Sequence, residues 1–117
     1  MKKLTIHLLS ESSGQTVKYT ANTVLAKFSE LDVKKYHWPM VRNMELLEEV
    51  LSVIKEKPGV VLYTVSNHEL RERIKKFSME IKLPCISVVG RIVKEISEYI
   101  GVGADSEGRV NNKFDQN

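Results

Sequence analysis

The sequence predicts a three-layer α/β domain: a four-stranded parallel sheet in the order 2-1-3-4, with crossover helices on its faces. Two observations carry this. Short apolar runs alternate four times with stretches whose apolar residues recur at three- and four-residue steps, the signature of strand followed by amphipathic helix. The connections between them are short, as in successive strand-helix-strand units.

The first run, Leu4 to Leu9, is apolar-rich and ends at the polar cluster Ser10 to Gly14, as a buried strand entering a turn would. From Gln15 to about Phe28, Val17, Ala21, Val24, Leu25 and Phe28 share one helix face. Asp32 to Trp38 reads as a second strand, with Val33 and Tyr36 set among lysines and Pro39 ending it, which suits a sheet edge. Asn43 to Lys57 repeats Leu46, Leu47, Val50, Leu51 and Ile54, opens on a capping Asn43 and closes before Pro58-Gly59. Val60 to Val65 is a continuous apolar and β-branched run, the composition of a strand covered on both faces.

Asn67 can cap a third helix through about Lys82, with Leu70, Ile74, Phe77 and Ile81 at helical spacing. A fourth strand, Cys85 to Val89, follows Pro84. The last helix, from about Arg91 to Ile100, is expected to bury Ile92, Val93, Ile96 and Tyr99 or Ile100 before stopping at Gly101. The strand order follows from the strands themselves. The two most hydrophobic, one and three, belong at the centre, giving an arrangement of the Rossmann or flavodoxin-like kind. Residues 1–102 form the domain, and the polar stretch 103–117 reads as a tail or the start of a linker.

Composition narrows the function. At 117 residues, 42% hydrophobic and 28% charged, the chain suits one globular unit. The net charge of +3 comes from interspersed residues, so no nucleic-acid partner is indicated. The densest basic region, Arg71, Arg73, Lys75 and Lys76, shares its helix with Glu69 and Glu72 and reads as a solvated face. No apolar stretch is long enough for a membrane span, and Met1 to Leu9 lacks the features of a signal peptide, so a cytoplasmic location is expected. Cys85 is the single cysteine, which excludes an internal disulfide and a multi-cysteine metal site and suggests a buried, inert thiol.

Ligands of open parallel sheets gather at the carboxyl ends of the strands. That rule selects Ser10 to Thr16, Pro39 to Asn43 and Ser66 to His68. The first loop contributes Ser10, Ser12, Ser13, Gly14, Gln15 and Thr16: hydroxyls, a flexible glycine and the free amides of a helix N-terminus, the parts of an anion site. Two alternatives stand beside that reading. Ser12 or Ser13 simply caps the helix, and Glu11 would oppose an anion if it pointed inward. The loop is neither a Walker phosphate loop nor a dinucleotide fingerprint.

Arg42 could give bidentate contacts to phosphate or carboxylate, or pair with Glu45. Asn67 is a cap or a contact at the same edge, and His68 an exposed first-turn residue. His7, inside a strand, reads as a satisfied core imidazole. No nucleophile-base arrangement can be assembled, so no catalytic residue and no metal ligand is assigned.

Taken in order, Ile6-His7-Leu8-Leu9-Ser10-Glu11-Ser12-Ser13-Gly14-Gln15-Thr16, His37-Trp38-Pro39-Met40-Val41-Arg42, Val61-Leu62-Tyr63-Thr64 with Asn67, and Leu83-Pro84-Cys85 resemble the N-terminal part of the pyruvate, phosphate dikinase regulatory proteins, a group that includes the phosphoenolpyruvate synthase regulatory proteins. The resemblance covers roughly residues 3 to 116, and Trp38-Pro39-Met40-Val41-Arg42 is its most specific string. It implies a bifunctional enzyme. An ADP-dependent serine/threonine kinase inactivates the target, and a phosphate-dependent pyrophosphorylase removes the phosphoryl group and releases pyrophosphate. The implied partners are pyruvate, phosphate dikinase or phosphoenolpyruvate synthase, with a homodimer left open.

The sequence departs from the family pattern at Glu11, usually aspartate, at Ser13, usually threonine, and at Gly90-Arg91, where Asp-Pro is common. The first two keep the chemistry; the third puts the loop after strand four in doubt. The family's nucleotide-binding phosphate loop belongs to a C-terminal kinase domain and has no counterpart in these 117 residues. The expectation is therefore a truncated chain or natural fragment, inactive by itself and without a cofactor, ADP and phosphate being ligands of the full-length protein. Ser12, Ser13 and Arg42 are the strongest candidates for contacting target or phosphate. The competing reading is a flavodoxin-like module that holds a phosphate-bearing ligand on the first loop. A receiver-like domain is disfavoured because Thr64-Val65-Ser66 supplies no aspartate.

Overall fold

A computed structural model describes residues 1–103; the proposed tail or linker lies almost wholly outside the described residues. The elements are β1 (Lys2–Ser10), α1 (Gln15–Leu25), β2 (Leu31–Trp38), α2 (Met44–Glu56), β3 (Val60–Thr64), α3 (His68–Ile81), β4 (Cys85–Ser87) and α4 (Gly90–Ile100). All strand pairs are parallel and the sheet order is β2-β1-β3-β4, as the hydrophobic ranking of the strands predicts.

Register decides which side chains meet. Ile6, His7, Leu8, Leu9 and Ser10 of β1 stand opposite Val60, Val61, Leu62, Tyr63 and Thr64 of β3. Alternation then sends Leu9, Val61 and Tyr63 to one face and Ile6 and Leu8 to the other. On the first face they pack with Leu47, Val50, Leu51 and Ile54 of α2 and with Leu70, Ile74 and Phe77 of α3. On the second, Ile6 and Leu8 meet Val17 and Ala21 of α1. Burying an aliphatic side chain of this size stabilises by roughly 1.5–3 kcal/mol, so these two clusters dominate the fold.

The helix starts follow local chemistry. Asn43 and Asn67 accept from the backbone N–H of Leu46 at 2.8 Å and of Leu70 at 3.0 Å, capping α2 and α3 as expected. Gly101 ends α4 in the left-handed conformation.

Four expectations change. Helix α1 stops at Leu25, where Lys27 and Phe28 N–H groups bond to Val24 and Leu25 carbonyls in tight turns. Val24 and Phe28, expected on the same face as Val17 and Ala21, are exposed. Strand β4 ends at Ser87 because the chain turns into α4 at Gly90. Helix α4 buries none of its residues, although Ile92, Val93, Ile96 and Ile100 lie at helical spacing, because it does not lie on the sheet. Cys85 is half-buried rather than buried; burial pushes its thiol pKa up and outweighs a hydrogen bond from Ser78, so the thiol stays protonated and inert.

The basic stretch of α3 is a solvated face with one structured member. Arg73 holds Glu48 of α2 through two of its nitrogens and also reaches Glu80, tying the two helices together. The guanidinium hydrogen bond holds the Glu48 carboxyl below the usual carboxylate range. Both partners are solvent-accessible, so Arg73→Ala is expected to cost only about 1 kcal/mol, read as a lower urea midpoint, with the loss shrinking in high salt. An unchanged midpoint at low salt would show that the pair contributes nothing.

Candidate functional site

The three loops singled out at the carboxyl edge of the sheet are joined by a hydrogen-bonded lattice. Met40 N–H donates to the Ser12 carbonyl and Val41 N–H to the Ser10 carbonyl, each at 2.9 Å. Glu11 N–H donates to the Thr64 carbonyl at 3.3 Å. The loop after β1 is thereby pinned between those after β2 and β3.

The candidate residues separate by role. Ser10 is fully buried; its Oγ accepts from Ser12 N–H and from Thr64 Oγ1, each at 3.0 Å, and lies 3.2 Å from Ser12 Oγ. It holds the loop together from within. Ser12, Ser13, Gln15 and Thr16 are exposed and face solvent around the start of α1. Asn67 spends its side-chain oxygen on the α3 cap.

Gly14, not a serine, is the residue at the α1 N-cap, in the left-handed conformation with φ 85°, and no side chain caps the helix. The first-turn N–H groups of α1 are therefore left without a side-chain acceptor. A Cβ at Gly14 would also run into Nε2 of His37, so glycine is required by both its φ and its neighbour.

Glu11 does not point into the loop. Its carboxylate accepts from the backbone N–H of Ser66 at 3.0 Å and from the Ser66 hydroxyl, docking the β1 loop onto the β3-α3 connection. Arg42 does not pair with Glu45; its Nε donates to the Glu11 carbonyl at 2.8 Å. That bond leaves the two terminal guanidinium nitrogens without a partner among the described residues, on an exposed side chain at the same edge as Ser12 and Ser13. Met40 adopts φ 60°, an uncommon conformation for a residue with a Cβ, which turns the chain from β2 into this lattice.

Beside Arg42 lies a mainly apolar groove of about 380 Å³ between the β2-α2 loop and α2, walled by Trp38, Met40, Leu46, Val50 and Val53. One of its walls, Trp38, belongs to a stack of rings. His7, Tyr36 and Trp38 lie nearly parallel, with centroids 5.0 Å apart for His7 and Tyr36 and 6.2 Å for Tyr36 and Trp38. His7 is fully buried, its Nε2–H donating to the Lys57 carbonyl at 2.7 Å and its Nδ1 accepting from Trp38 Nε1–H at 3.0 Å. A carbonyl only accepts and an indole N–H only donates, so the ring is the neutral Nε2–H tautomer. Desolvation lowers its pKa, as the core reading of His7 requires.

Sequence reasoning placed Ser66 at this edge but did not assign Thr64 or His37 to it. Each becomes visible only through strand register: Thr64 stands opposite Ser10, and His37 opposite Leu8, next to where the β1 loop returns. Among the described residues no three His, Cys, Asp or Glu side chains are grouped to hold a metal ion, and no helix is long and apolar enough to cross a membrane.

An open, all-parallel α/β sheet with its polar loops interlocked at the carboxyl edge defines the three-layer, Rossmann- or flavodoxin-like class of domain. Comparison with known proteins makes that specific. The family model described as kinase/pyrophosphorylase matches residues 6–117, and the chain belongs to this family. Over 116 residues it is 55% identical to proteins named pyruvate, phosphate dikinase regulatory protein from Rickettsia africae (strain ESF-5) and Rickettsia conorii (strain ATCC VR-613 / Malish 7), and 54% identical to that from Rickettsia typhi (strain ATCC VR-144 / Wilmington). Each match takes in 99% of this chain but 42% of the relative, so the chain spans about two fifths of the length of these relatives.

Proposed function

We propose that this chain is the N-terminal, target-engaging part of a regulatory enzyme that phosphorylates a threonine of pyruvate, phosphate dikinase or phosphoenolpyruvate synthase with ADP as donor. The same enzyme removes that phosphoryl group with inorganic phosphate and releases pyrophosphate. The family's kinase/pyrophosphorylase description and the relatives' names support the regulatory role. The chain itself contains no Gly-Lys-Ser/Thr phosphate loop, so ADP and phosphate are bound by a further domain and these residues transfer nothing alone.

The observation that carries the role of this part is the arrangement at the carboxyl edge. The terminal guanidinium nitrogens of Arg42, the hydroxyls of Ser12 and Ser13 and the uncapped start of α1 stand together beside an apolar groove. Such a set suits a polypeptide carrying a phosphorylated side chain. The groove takes an apolar residue of the target, and the donors orient the phosphate.

A charge-assisted hydrogen bond contributes about 1.5–3 kcal/mol, so Arg42→Ala in the full-length enzyme is expected to reduce kcat/KM for the phosphorylated target roughly 10- to 100-fold. The loss should sit mainly in KM, and a Ser12→Ala/Ser13→Ala double variant should move in the same direction. Kinase and phosphorylase rates unchanged in both variants would remove these residues from the function.

A further inference from the structure

Helix α4 presents a stripe that the rest of the described structure leaves bare. Ile92, Val93, Ile96 and Ile100 fall at helical spacing and are 37% to 59% exposed. The stripe continues onto the domain through Val89 and Ile86. Ile86 stands opposite Leu62, which stands opposite Leu8 on the face packed by α1. Helix α1 packs on that face over β1 and β3, and Ile86 of β4 stays exposed. From β4 through α4, Ile86, Val89, Ile92, Val93, Ile96 and Ile100 are thus all apolar and exposed.

An isolated helix of this length is marginal in water, since those shorter than about 12–15 residues seldom hold without tertiary packing. Helix α4 has 11 residues and three of its apolar positions are isoleucine, a weaker helix former than leucine. It needs an occupant against its stripe. The helix does not supply its own cover. The Gly90 N–H bonds to Ser87 Oγ at 3.1 Å and the first helical bond runs from Val93 N–H to the Val89 carbonyl, so α4 starts directly after β4, and its apolar residues stay exposed.

We infer that the α4 stripe, with Val89 and Ile86, is the docking surface for the segment that the family's longer members carry C-terminal to the matched region. More than half of each relative's length lies outside the match, and α4 is the last described element before that segment would begin. A segment tethered 17 residues beyond the helix, after Asn117, has an effective concentration of about the millimolar range, far above that of a free second copy. A surface that joins the two parts would also set how the edge bearing Arg42 faces the phosphoryl-transfer centre.

Hydrogen exchange tests this on two chains: the 117-residue protein, and the same protein continued after Asn117 by the C-terminal remainder of the Rickettsia africae relative. Amides of residues 93 to 100 should exchange roughly 100-fold more slowly in the longer chain, with those of α3 unchanged as the record that the domain is folded in both. Ile96→Asp in the longer chain should return residues 93 to 100 to fast exchange and leave α3 protected. Equal exchange in the two chains would overturn the inference. So would protection in the short chain, whether independent of concentration, which means α4 covers its own sheet, or rising with concentration, which means a second copy is the occupant.

Discussion

Gly59→Ala is expected to destabilise the domain by about 3 kcal/mol or more, at the upper end of what single substitutions do. A Cβ at Gly59 would collide with the Thr5 carbonyl oxygen and come within 2.7 Å of its carbon. The obstacle is backbone. Thr5 belongs to β1, paired with Lys34 of β2, so it can retreat only by opening the ladder on which the whole sheet is built. Gly103→Ala is the matched control, because nothing among the described residues lies within 4 Å of the added atom, and its effect should stay within about 0.5 kcal/mol. Urea unfolding of the two variants separates them; overlapping midpoints would mean that the close approach of β3's entry to β1 is not a constraint.

Replacing His7 should cost a comparable amount, with a pH signature of its own. His7→Ala removes buried ring volume and strands the Trp38 indole N–H and the Lys57 carbonyl, together a loss of about 3 kcal/mol. In the folded protein the imidazole is held neutral, its pKa below the ordinary value of 6.5 because burial disfavours the charged ring. Unfolding releases it to that ordinary value. Between the two pKa values the unfolded chain binds the extra proton, so stability rises with pH through this window. The contribution is fully present above about pH 6.5 and is lost as pH falls below it toward the folded value. The slope of unfolding free energy against pH just below 6.5 should be steeper in the native protein than in His7→Leu. Equal slopes would show that the ring titrates as freely folded as unfolded.

Protonation of His7 has a local consequence as well. The Nδ1 that accepts from Trp38 would become a donor, breaking the bond that orients the indole. Trp38 lines the groove beside Arg42, so acid should loosen the candidate target surface before the domain unfolds.

Much of this molecule is legible in its residues. The apolar periods of α2 and α3, the two asparagine caps and the β-branched run of β3 belong to local chemistry, and each stands where it was expected. The ranking of strand hydrophobicity placed β1 and β3 at the centre because a strand covered on both faces excludes the lysines that β2 tolerates at an edge. The three loops at the carboxyl edge were recognisable from the same order.

What each residue of those loops does was decided by the tertiary structure. Composition shows that Ser10, Glu11, Ser12 and Arg42 are polar, yet only register and loop packing bury Ser10 against Thr64 and turn Glu11 onto Ser66. The same packing leaves the outer nitrogens of Arg42 toward solvent. Helix α4 shows the limit most sharply. Its periodicity announces a buried face, because an amphipathic helix implies a partner; the sequence cannot say whether that partner lies within the same 117 residues. Periodicity is a property of one segment and burial is a relation between two, and among the described residues no second member of the pair covers α4.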